Sequence, residues 1–305
     1  MDKNEFILKD RINIIKDYVN KYGEDKFYIS FSGGKDSTVL HYLVDMALPK
    51  NNIPRVFNNT GIEYLKIIEF VKSFEVDKRF AILPPKKNVK QTLEKVGYPF
   101  KSKEHSLYVA TYQKNGLKSK TVQRYLGHMI ERERFECPKK LRYQFTKNFN
   151  IKVSSRCCDE FKKKPLREYE KESGRNIAIL GLMSDEKGQR SARASCFTKY
   201  ATHSNFNPLM KVDKSWEEWF IKKFNIKLCD LYYLPYNFQR TGCKGCPYNI
   251  HLEEDLKTME MLLPNEYKQC EFIWQPIYHE YRRINYRLSK VKQLNLNLGA
   301  NENDN

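Results

Sequence analysis

The fold is decided by the stretch Phe27-Tyr28-Ile29-Ser30-Phe31-Ser32-Gly33-Gly34-Lys35-Asp36-Ser37. Residues 27–31 predict a short buried strand, and residues 37–46 place their apolar side chains at helical spacing. The two glycines between them let the backbone turn tightly and bring its N–H groups close to an anion. The predicted helix directs the positive end of its dipole to the same point. The stretch therefore predicts a phosphate-binding loop, with a plain glycine turn as the alternative.

The side chains of this loop suit a nucleotide. Lys35 supplies a full positive charge, and Ser32 and Ser37 supply hydroxyl groups. The spacing differs from that of P-loop NTPases, which have four residues between the first glycine and the Gly-Lys pair. We expect Lys35 and Asp36 to be catalytic. The nucleotide-binding residues predicted in this stretch are Ser30, Ser32, Gly33, Gly34, Lys35, Asp36 and Ser37.

The rest of the chain repeats the alternation of strand and helix. Further strands are predicted at residues 55–58, 80–83 and 177–181, and further helices at 5–21, 63–74 and 215–225. This rhythm predicts an α/β fold, a parallel sheet with helices on both faces. We expect the core to comprise residues 1–98 and 157–260, interrupted by a mainly helical basic insertion at 99–156. A helical extension at 261–293 and a flexible tail at 294–305 complete the predicted organisation.

Charge points to a polyanionic partner. The formal net charge is +18, and residues 101–156 carry nine lysines and five arginines against four glutamates, a net +10. Tyrosines are interleaved with these charges, which favours a nucleic acid, tRNA or DNA, as the partner of this segment. A solvated, lysine-rich surface is the alternative. There is no apolar run of membrane-spanning length and no signal peptide, so we expect a cytoplasmic protein without membrane contact.

Four of the eight cysteines form a pattern. Cys157 and Cys158 are adjacent, and Cys243-Lys244-Gly245-Cys246 is a C-x-x-C turn, in which two thiolates can meet at one metal centre. Adjacent cysteine side chains usually point apart, which suits a multi-iron cluster better than one tetrahedral zinc ion. Zinc and unrelated buried cysteines remain the alternatives. The other four are expected to be inert: Cys137, Cys196, Cys229 and Cys270.

Loop and cysteines together resemble a known family. The Ser-Gly-Gly-x-Asp-Ser loop resembles that of the ATP-pyrophosphatase superfamily, also called adenine nucleotide alpha hydrolase-like. The cysteine set resembles the adenylylsulfate branch of the phosphoadenosine phosphosulfate (PAPS) reductase family. This resemblance implies a [4Fe–4S] cluster on Cys157, Cys158, Cys243 and Cys246, and a bound ATP or sulfated adenine nucleotide. It also implies nucleotide contacts from Asn59, Thr60, Gly61, Gly181 and Ser184, and phosphate contacts from the catalytic candidates Arg190 and Arg193.

One feature departs from the reductases. They attack the sulfate with a cysteine near the C-terminus, whereas no cysteine follows Cys270 here. The chain is closest in character to the reductase-like sulfurtransferases of DNA phosphorothioation. We therefore expect an enzyme that cleaves ATP to AMP and pyrophosphate with Mg²⁺, to activate a nucleic acid for sulfur insertion. A sulfur-donor protein such as a cysteine desulfurase is the expected partner. A sulfonucleotide reductase using another thiol, and a non-catalytic module within a complex, are the alternatives.

Overall fold

The computed structural model describes residues 2–129, 136–183 and 195–290. The strands within these residues are β1 Phe27–Ser30, β2 Arg55–Asn58, β3 Phe80–Leu83, β4 Ile177–Ile179, β5 Phe197–Lys199 and β6 Ser204–Phe206. The α-helices are α1 Lys3–Tyr22, α2 Lys35–Ala47, α3 Leu65–Lys72, α4 Val89–Val96, α5 Lys103–Asn115, α6 Lys120–Tyr125, α7 Lys164–Ser173, α8 Lys214–Lys223, α9 Leu252–Leu262 and α10 Pro264–Arg283. No helix among the described residues is long and apolar enough to span a lipid bilayer.

The strands form one sheet in the order β3-β2-β1-β4-β6-β5. Every neighbouring pair is parallel except β5 and β6, which are antiparallel. The chain builds the sheet outward from β1 to β3 and then continues on the other side of β1 with β4. In open parallel sheets, ligands bind at the carboxyl ends of the strands where the order reverses in this way. That point lies here between β1 and β4, directly after which come the glycine loop and Gly181.

Helices cover both faces of the sheet. On one face, Phe27, Ile29 and Phe31 join the main core with the apolar side chains of α1 and α2. On the other face, Tyr28 packs with Val56 and Ala178 beneath α7. The alternation follows from the two-residue period of a strand, which sends successive side chains to opposite faces. The predicted α/β class, a parallel sheet with helices on both faces, is confirmed.

Sequence patterning located four of the six strands. The two that it missed, β5 and β6, have three residues each and lack an apolar run, so periodicity had little to detect. The predicted helices at 5–21, 37–46, 63–74 and 215–225 correspond to α1, α2, α3 and α8. Strand β4 ends at Ile179, two residues before the predicted end.

Residues 99–156 leave and re-enter the core at one place. Tyr98 and Val153 form a parallel bridge, in which the Tyr98 N–H donates to the Lys152 carbonyl at 2.8 Å and the Ser154 N–H donates to the Tyr98 carbonyl at 2.9 Å. Between these ends lie α5, α6 and a 3₁₀ segment, Lys139–Phe145. The paired ends place the tandem cysteines, which follow at once, beside the base of this helical segment.

Gly181, just after β4, lies close to the backbone of α2, and a substitution there tests this contact. A Cβ atom on Gly181 would lie 2.8 Å from the Asp36 carbonyl oxygen, which is backbone and cannot move aside cheaply. We expect Gly181→Ala to lower the free energy of unfolding by about 1–3 kcal/mol in urea denaturation. Gly242→Ala is the control, because no atom lies within 4 Å of a Cβ at that position. Equal stability of the two variants would contradict the close approach.

Candidate functional site

The glycine loop turns at the carboxyl end of β1. Gly33 has φ +70°, a conformation that L side chains rarely adopt, and a Cβ there would lie 2.9 Å from Val71 Cγ2 of α3. Gly34 is the N-cap residue of α2. The loop is therefore wedged between α3 and the start of α2, and Gly33 is required there by both backbone angle and space.

Hydroxyl groups fill the inside of this turn. Ser37 Oγ lies 3.0 Å from Ser32 Oγ and donates to the Gly34 carbonyl at 2.9 Å. The Ser32 N–H donates to Ser37 Oγ at 3.2 Å, and the Gly34 N–H donates to Ser32 Oγ at 3.3 Å. The two serines that the sequence singled out thus hold the loop in shape in this nucleotide-free structure. Their hydroxyls lie among the N–H groups that an anion would approach.

Two further hydroxyls at the loop were missed by sequence reasoning. The Lys35 N–H donates to the Tyr232 hydroxyl at 3.0 Å, and that hydroxyl lies 2.5 Å from Thr241 Oγ1. The Lys35 ammonium lies 5.4 Å from the centre of the Tyr232 ring. Tyr232 and Thr241 belong to the segment that leads into the C-x-x-C turn. No pattern in the sequence told which side chain of this segment would reach the loop.

Asp36 faces a buried carboxyl group of α8. Glu217 has only 3% of its surface exposed, and its side chain hydrogen-bonds that of Asp36. Burial, and then the negative charge of Asp36, raise the pKa of Glu217 to about 8. At neutral pH, Glu217 therefore keeps its proton and donates it to the Asp36 carboxylate. The predicted catalytic aspartate is thus held by a second carboxyl group that the sequence did not reveal.

The loop after β2 uses its predicted residues mainly to shape itself. The Thr60 N–H and hydroxyl both donate to the Glu63 carboxylate at 2.8 Å, and the Gly61 N–H donates to Asn59 Oδ1 at 2.9 Å. Gly61 has φ +82°. Ser30 is the last residue of β1, half-buried beside this loop's strand. The residues predicted to contact a nucleotide here lie at the edge of the sheet where the parallel strands have their carboxyl ends.

A cleft opens beside this loop, at the carboxyl ends of β2 and β3. The residues that line it are Asn58, Asn59, Thr60, Lys86, Lys87, Glu160, Phe161, Lys164, Pro165 and Glu168. The Glu160 side chain is 5% exposed and accepts from Lys87 Nζ at 2.7 Å and Lys164 Nζ at 2.6 Å. Three lysines and two glutamates line the cleft, so its charge is close to balance.

The four patterned cysteines lie together. Cys157 and Cys158 do not point apart as expected, because their sulfur atoms are 4.0 Å from each other. The hydrogen bond to Cys158, then burial, and then the nearby thiols of Cys246 and Cys243 raise the pKa of Cys157. Burial raises the pKa of Cys246 to about 12, with Cys243 adding to the effect. Two segments separated by 84 residues therefore meet at one group of thiols.

Helix α10 holds the C-x-x-C turn. Its side chains Trp274, Tyr278 and Tyr281 recur at helical spacing and donate hydrogen bonds to backbone carbonyls of the turn. The acceptors are, in the same order, the carbonyl oxygens of Lys244, Gly245 and Pro247. All three aromatic side chains are buried, with 1% or less of their surface exposed. One face of α10 thus fixes the conformation in which the two cysteines of the turn are presented.

The turn has no room for other side chains at its centre. Gly245 has φ +61°, and a Cβ there would lie 2.7 Å from Cys270 Sγ. The Lys244 ammonium lies 3.7 Å from a Glu266 carboxylate oxygen, with both side chains 5% exposed or less. Burial raises the pKa of Cys270 to about 12. Cys270 is therefore an inert part of the packing under the turn.

Positive charge surrounds the thiols. The Lys162 ammonium hydrogen-bonds Cys243, and the charge that this cysteine carries when ionised is the main cause that raises the pKa of Lys162. Lys103 of α5 is near enough to lower the pKa of Cys158, after the hydrogen bond from Cys157. Lys162 lies in a π-helical turn, Asp159–Lys163, an irregularity frequent at functional sites. These ammonium groups would offset the negative charge of thiolates bound to a metal.

The donor set fits an iron–sulfur cluster. Four cysteine thiols and no other ligand type are the ligands that a [4Fe–4S] cluster takes. Among the described residues, no group of three or more His, Cys, Asp or Glu side chains is arranged to hold a metal ion, so the fit rests on the chemistry of the four thiols. A bulkier cluster holds its sulfur ligands further apart than one tetrahedral ion does, and the buried, cationic surroundings accept its charge.

Comparison with known proteins bears on the first part of this site. Residues 26–126 match the phosphoadenosine phosphosulfate reductase domain. The family prediction is confirmed. This PAPS reductase domain contains the glycine loop and the loop after β2, whereas the cysteines lie beyond the matched residues. No curated protein sequence matches the chain.

Several solved structures resemble this chain at low sequence identity. The PAPS reductase of Candida auris in its phosphate complex is 12% identical, with a TM-score of 0.45 over 80% of this chain and 96% of that one. The NH3-dependent NAD synthetase of Campylobacter jejuni is 15% identical, with a TM-score of 0.40 over 93% and 96%. The U34-tRNA thiolase NcsA of Methanococcus maripaludis with its [4Fe-4S] cluster is 12% identical, with a TM-score of 0.40 over 92% and 80%.

Three residues that the sequence predicts for the nucleotide site cannot be located in the structure. Ser184, Arg190 and Arg193 lie outside the described residues. Gly181, by contrast, lies against the first turn of α2, as its contact with Asp36 shows.

The basic segment lies beside the thiols, but its tyrosines are not exposed. Tyr125 has 1% of its surface exposed and lies 2.8 Å from His105 Nδ1 through its hydroxyl. Tyr108, Tyr112 and Tyr143 are half-buried. Tyr125 therefore packs inside the helical segment, and the other three rings are partly buried against it. The lysines of the segment are mostly exposed, among them Lys114, Lys118, Lys120, Lys139 and Lys147.

The thiol arrangement predicts how iron is bound. Anaerobically purified protein is expected to be brown and to contain about four irons per chain. Replacing Cys157, Cys158, Cys243 or Cys246 by Ser should abolish iron binding, measured by metal analysis and visible absorbance. Cys196→Ser is the control, because Cys196 lies apart from this group, with its thiol 3.8 Å from the Tyr18 hydroxyl. Stoichiometric zinc without iron would contradict the prediction.

Proposed function

We propose that this protein cleaves ATP to AMP and pyrophosphate and thereby activates a nucleic acid for sulfur insertion. The observation that carries the proposal is the junction of Lys35, Tyr232 and Thr241, which joins a phosphate-binding type of loop to the four-cysteine group. The PAPS reductase domain match supports nucleotide binding at the loop. The net +10 charge of residues 101–156, beside the thiols, supports a polyanionic acceptor.

The residues at the loop would divide the work of ATP cleavage. The N–H groups of Gly34 and Lys35, at the positive end of α2, would bind phosphate oxygens together with the Lys35 ammonium. Asp36 would offer its carboxylate to the Mg²⁺ that neutralises the leaving pyrophosphate. An oxygen of the acceptor attacks the α-phosphorus, the bond to the β-phosphate breaks, and pyrophosphate leaves. The acceptor then carries AMP, which sulfur replaces in the next step.

The four cysteines would hold a [4Fe–4S] cluster near the activated acceptor. Such a cluster supplies either a site that carries sulfur or a covalent link between the segments at residues 157–158 and 243–246. Sulfur would come from a donor protein such as a cysteine desulfurase. Arg190 and Arg193 remain the proposed clamp on the phosphates.

Three of the four cysteines outside the group are unsuited to direct reduction of a sulfonucleotide. That reaction needs an accessible, activated thiolate. Cys137, Cys229 and Cys270 have 3% or less of their surface exposed, and burial raises the pKa of each. A sulfonucleotide reductase that uses an external thiol is the second candidate, which the family match of residues 26–126 favours.

Product analysis separates the candidates. We expect the anaerobic protein with ATP and Mg²⁺ to release pyrophosphate and AMP, faster when tRNA or duplex DNA is present. Gly34→Val should abolish this release, because a Cβ at Gly34 lies 3.2–3.4 Å from three hydroxyl oxygens and the larger side chain fills the phosphate approach. Sulfite release from adenylylsulfate would establish the reductase instead. If neither pyrophosphate nor sulfite is released, the non-catalytic module is the remaining candidate. Mass spectrometry of nucleic acid from cells with and without the protein identifies the acceptor.

Charge reversal tests the nucleic-acid partner. Lys114, Lys118, Lys120 and Lys139 are all exposed in the basic segment. Changing the four to Glu should weaken binding to tRNA or DNA at least about tenfold and flatten its dependence on salt, because fewer counterions are released. ATP binding should persist.

The control reverses four exposed lysines outside the segment, Lys9, Lys16, Lys50 and Lys78. This variant has the same net charge as the test variant. Equal loss of affinity in both variants would show that only the overall charge matters. Unchanged affinity in the test variant would remove nucleic acid from the proposal for residues 101–156.

A further inference from the structure

The amides of the glycine loop are held by hydroxyl groups. The Gly34 N–H is bonded to Ser32 Oγ at 3.3 Å, and the Lys35 N–H to the Tyr232 hydroxyl at 3.0 Å. A Cβ placed on Gly34 would lie 3.2 Å from Ser32 Oγ, 3.3 Å from the Tyr232 hydroxyl and 3.4 Å from Thr241 Oγ1. Three hydroxyl oxygens thus surround the side of Gly34 from which a phosphate would approach.

Tyr232 differs from Ser32 because it comes from outside the loop. It ends a 3₁₀ turn, Asp230–Tyr232, whose central residue Leu231 is fully buried. The Phe238 N–H donates to the Leu231 carbonyl at 2.8 Å and closes this segment on itself. A fixed backbone therefore presents the phenol to the loop. The hydroxyl can move only when the whole side chain rotates.

The same hydroxyl contacts the segment that carries the cysteines. Its oxygen lies 2.5 Å from Thr241 Oγ1, and Thr241 precedes Cys243 by two residues. The backbone after Thr241 is fixed in turn, because the Lys244 N–H donates to the Ile62 carbonyl at 2.8 Å. A single phenol thus connects the first turn of α2 with the start of the C-x-x-C turn.

A phosphate oxygen is a better partner for the Lys35 N–H than a phenol is. Hydrogen bonds to an anion are about twice as strong as those between neutral groups. The positive end of the α2 dipole adds to this preference. Burial raises the pKa of Tyr232 to about 12, so the phenol stays neutral at physiological pH. The Tyr232 bond at this N–H is therefore one that an arriving polyphosphate can replace.

We propose that the Tyr232 hydroxyl occupies a phosphate position in the nucleotide-free protein, and that its displacement couples nucleotide binding to the segment carrying Cys243. The proposal rests on the proposed binding of ATP at this loop. ATP takes over the Lys35 N–H, and the Tyr232 hydroxyl reorients relative to Thr241. The segment of residues 241–243 then adjusts, which changes the protection of the metal centre that the cysteines would hold. Tyr232 is a positioning residue, since it acts through the loop and through Thr241.

Two conservative variants separate the two halves of the proposal. Tyr232→Phe removes the hydroxyl and keeps the ring, so ATP no longer has to displace a hydrogen bond. ATP should then bind roughly two- to tenfold more tightly, the equivalent of one net hydrogen bond. Thr241→Val keeps the bond between Lys35 and Tyr232 but breaks the link to the cysteine segment. Its ATP affinity should change less than that of Tyr232→Phe, because the bond between Lys35 and Tyr232 remains.

The second readout is the rate at which a chelator removes iron from the iron-loaded protein, with and without ATP and Mg²⁺. We expect ATP to change this rate in the wild type and to leave it unchanged in both variants. Tyr233→Phe is the control, because the Tyr233 hydroxyl accepts from the Leu228 N–H at 3.2 Å, apart from the loop. It should match the wild type in both measurements.

The outcomes are distinct. Weaker or unchanged ATP binding in Tyr232→Phe would overturn the displacement. An ATP effect on iron release that persists in Thr241→Val would overturn the coupling. Both results presuppose that the wild type binds ATP. A wild-type protein that does not bind ATP would overturn the proposed function, and this inference with it.

Discussion

Close backbone packing at the Ser32–Gly34 turn is the constraint on which the rest of the structure depends. Gly33 lies against α3, Gly34 lies beneath three hydroxyl groups, and Gly181 lies against the carbonyl of Asp36. A side chain at any of these positions would push apart two elements of the sheet's central crevice. The turn therefore fixes where α2 begins relative to β1 and β4. The direction of the α2 dipole and the position of Lys35 follow from that.

The two halves of the cysteine group are held in place by different means. Cys157 and Cys158 follow the paired ends of the basic segment and precede a π-helical turn, so they are set by the route of the chain. Cys243 and Cys246 are set by hydrogen bonds from one face of α10. Each half is therefore held by contacts outside the cysteine group. A cluster would then add a bond between two rigid segments instead of ordering flexible ones.

The sequence predicted the features of the fold that depend on short-range patterns. The glycine loop, β1 to β4 and the helices beside them were visible, because apolar spacing and turn residues act over a few positions. Contacts between distant segments were not visible. Tyr232 reaches Lys35 across 197 residues, and Glu217 reaches Asp36 from α8.

The aromatic residues also show that sequence patterns do not reveal contacts between distant segments. In α10, the spacing of Trp274, Tyr278 and Tyr281 resembles an ordinary core stripe, although their polar ends bind the cysteine turn. In the basic segment, interleaved Tyr125 suggested a stacking surface, although its ring is buried against His105. A sequence shows that a tyrosine is present among charges. It does not show which way the ring turns, because that depends on partners elsewhere in the chain.

The carboxyl pair beside the loop links the charge of the site to pH. Between the ordinary pKa of a glutamate, near 4.5, and about 8, the folded protein binds a proton at Glu217 that the unfolded chain has released. This group therefore lowers the stability of the fold progressively as pH rises through that range. This loss of stability is consistent with a functional position, because protonated Glu217 leaves one negative charge beside the loop, at Asp36, instead of two. If Asp36 binds the proposed Mg²⁺, one carboxylate would repel the phosphates of the proposed nucleotide less strongly than two would.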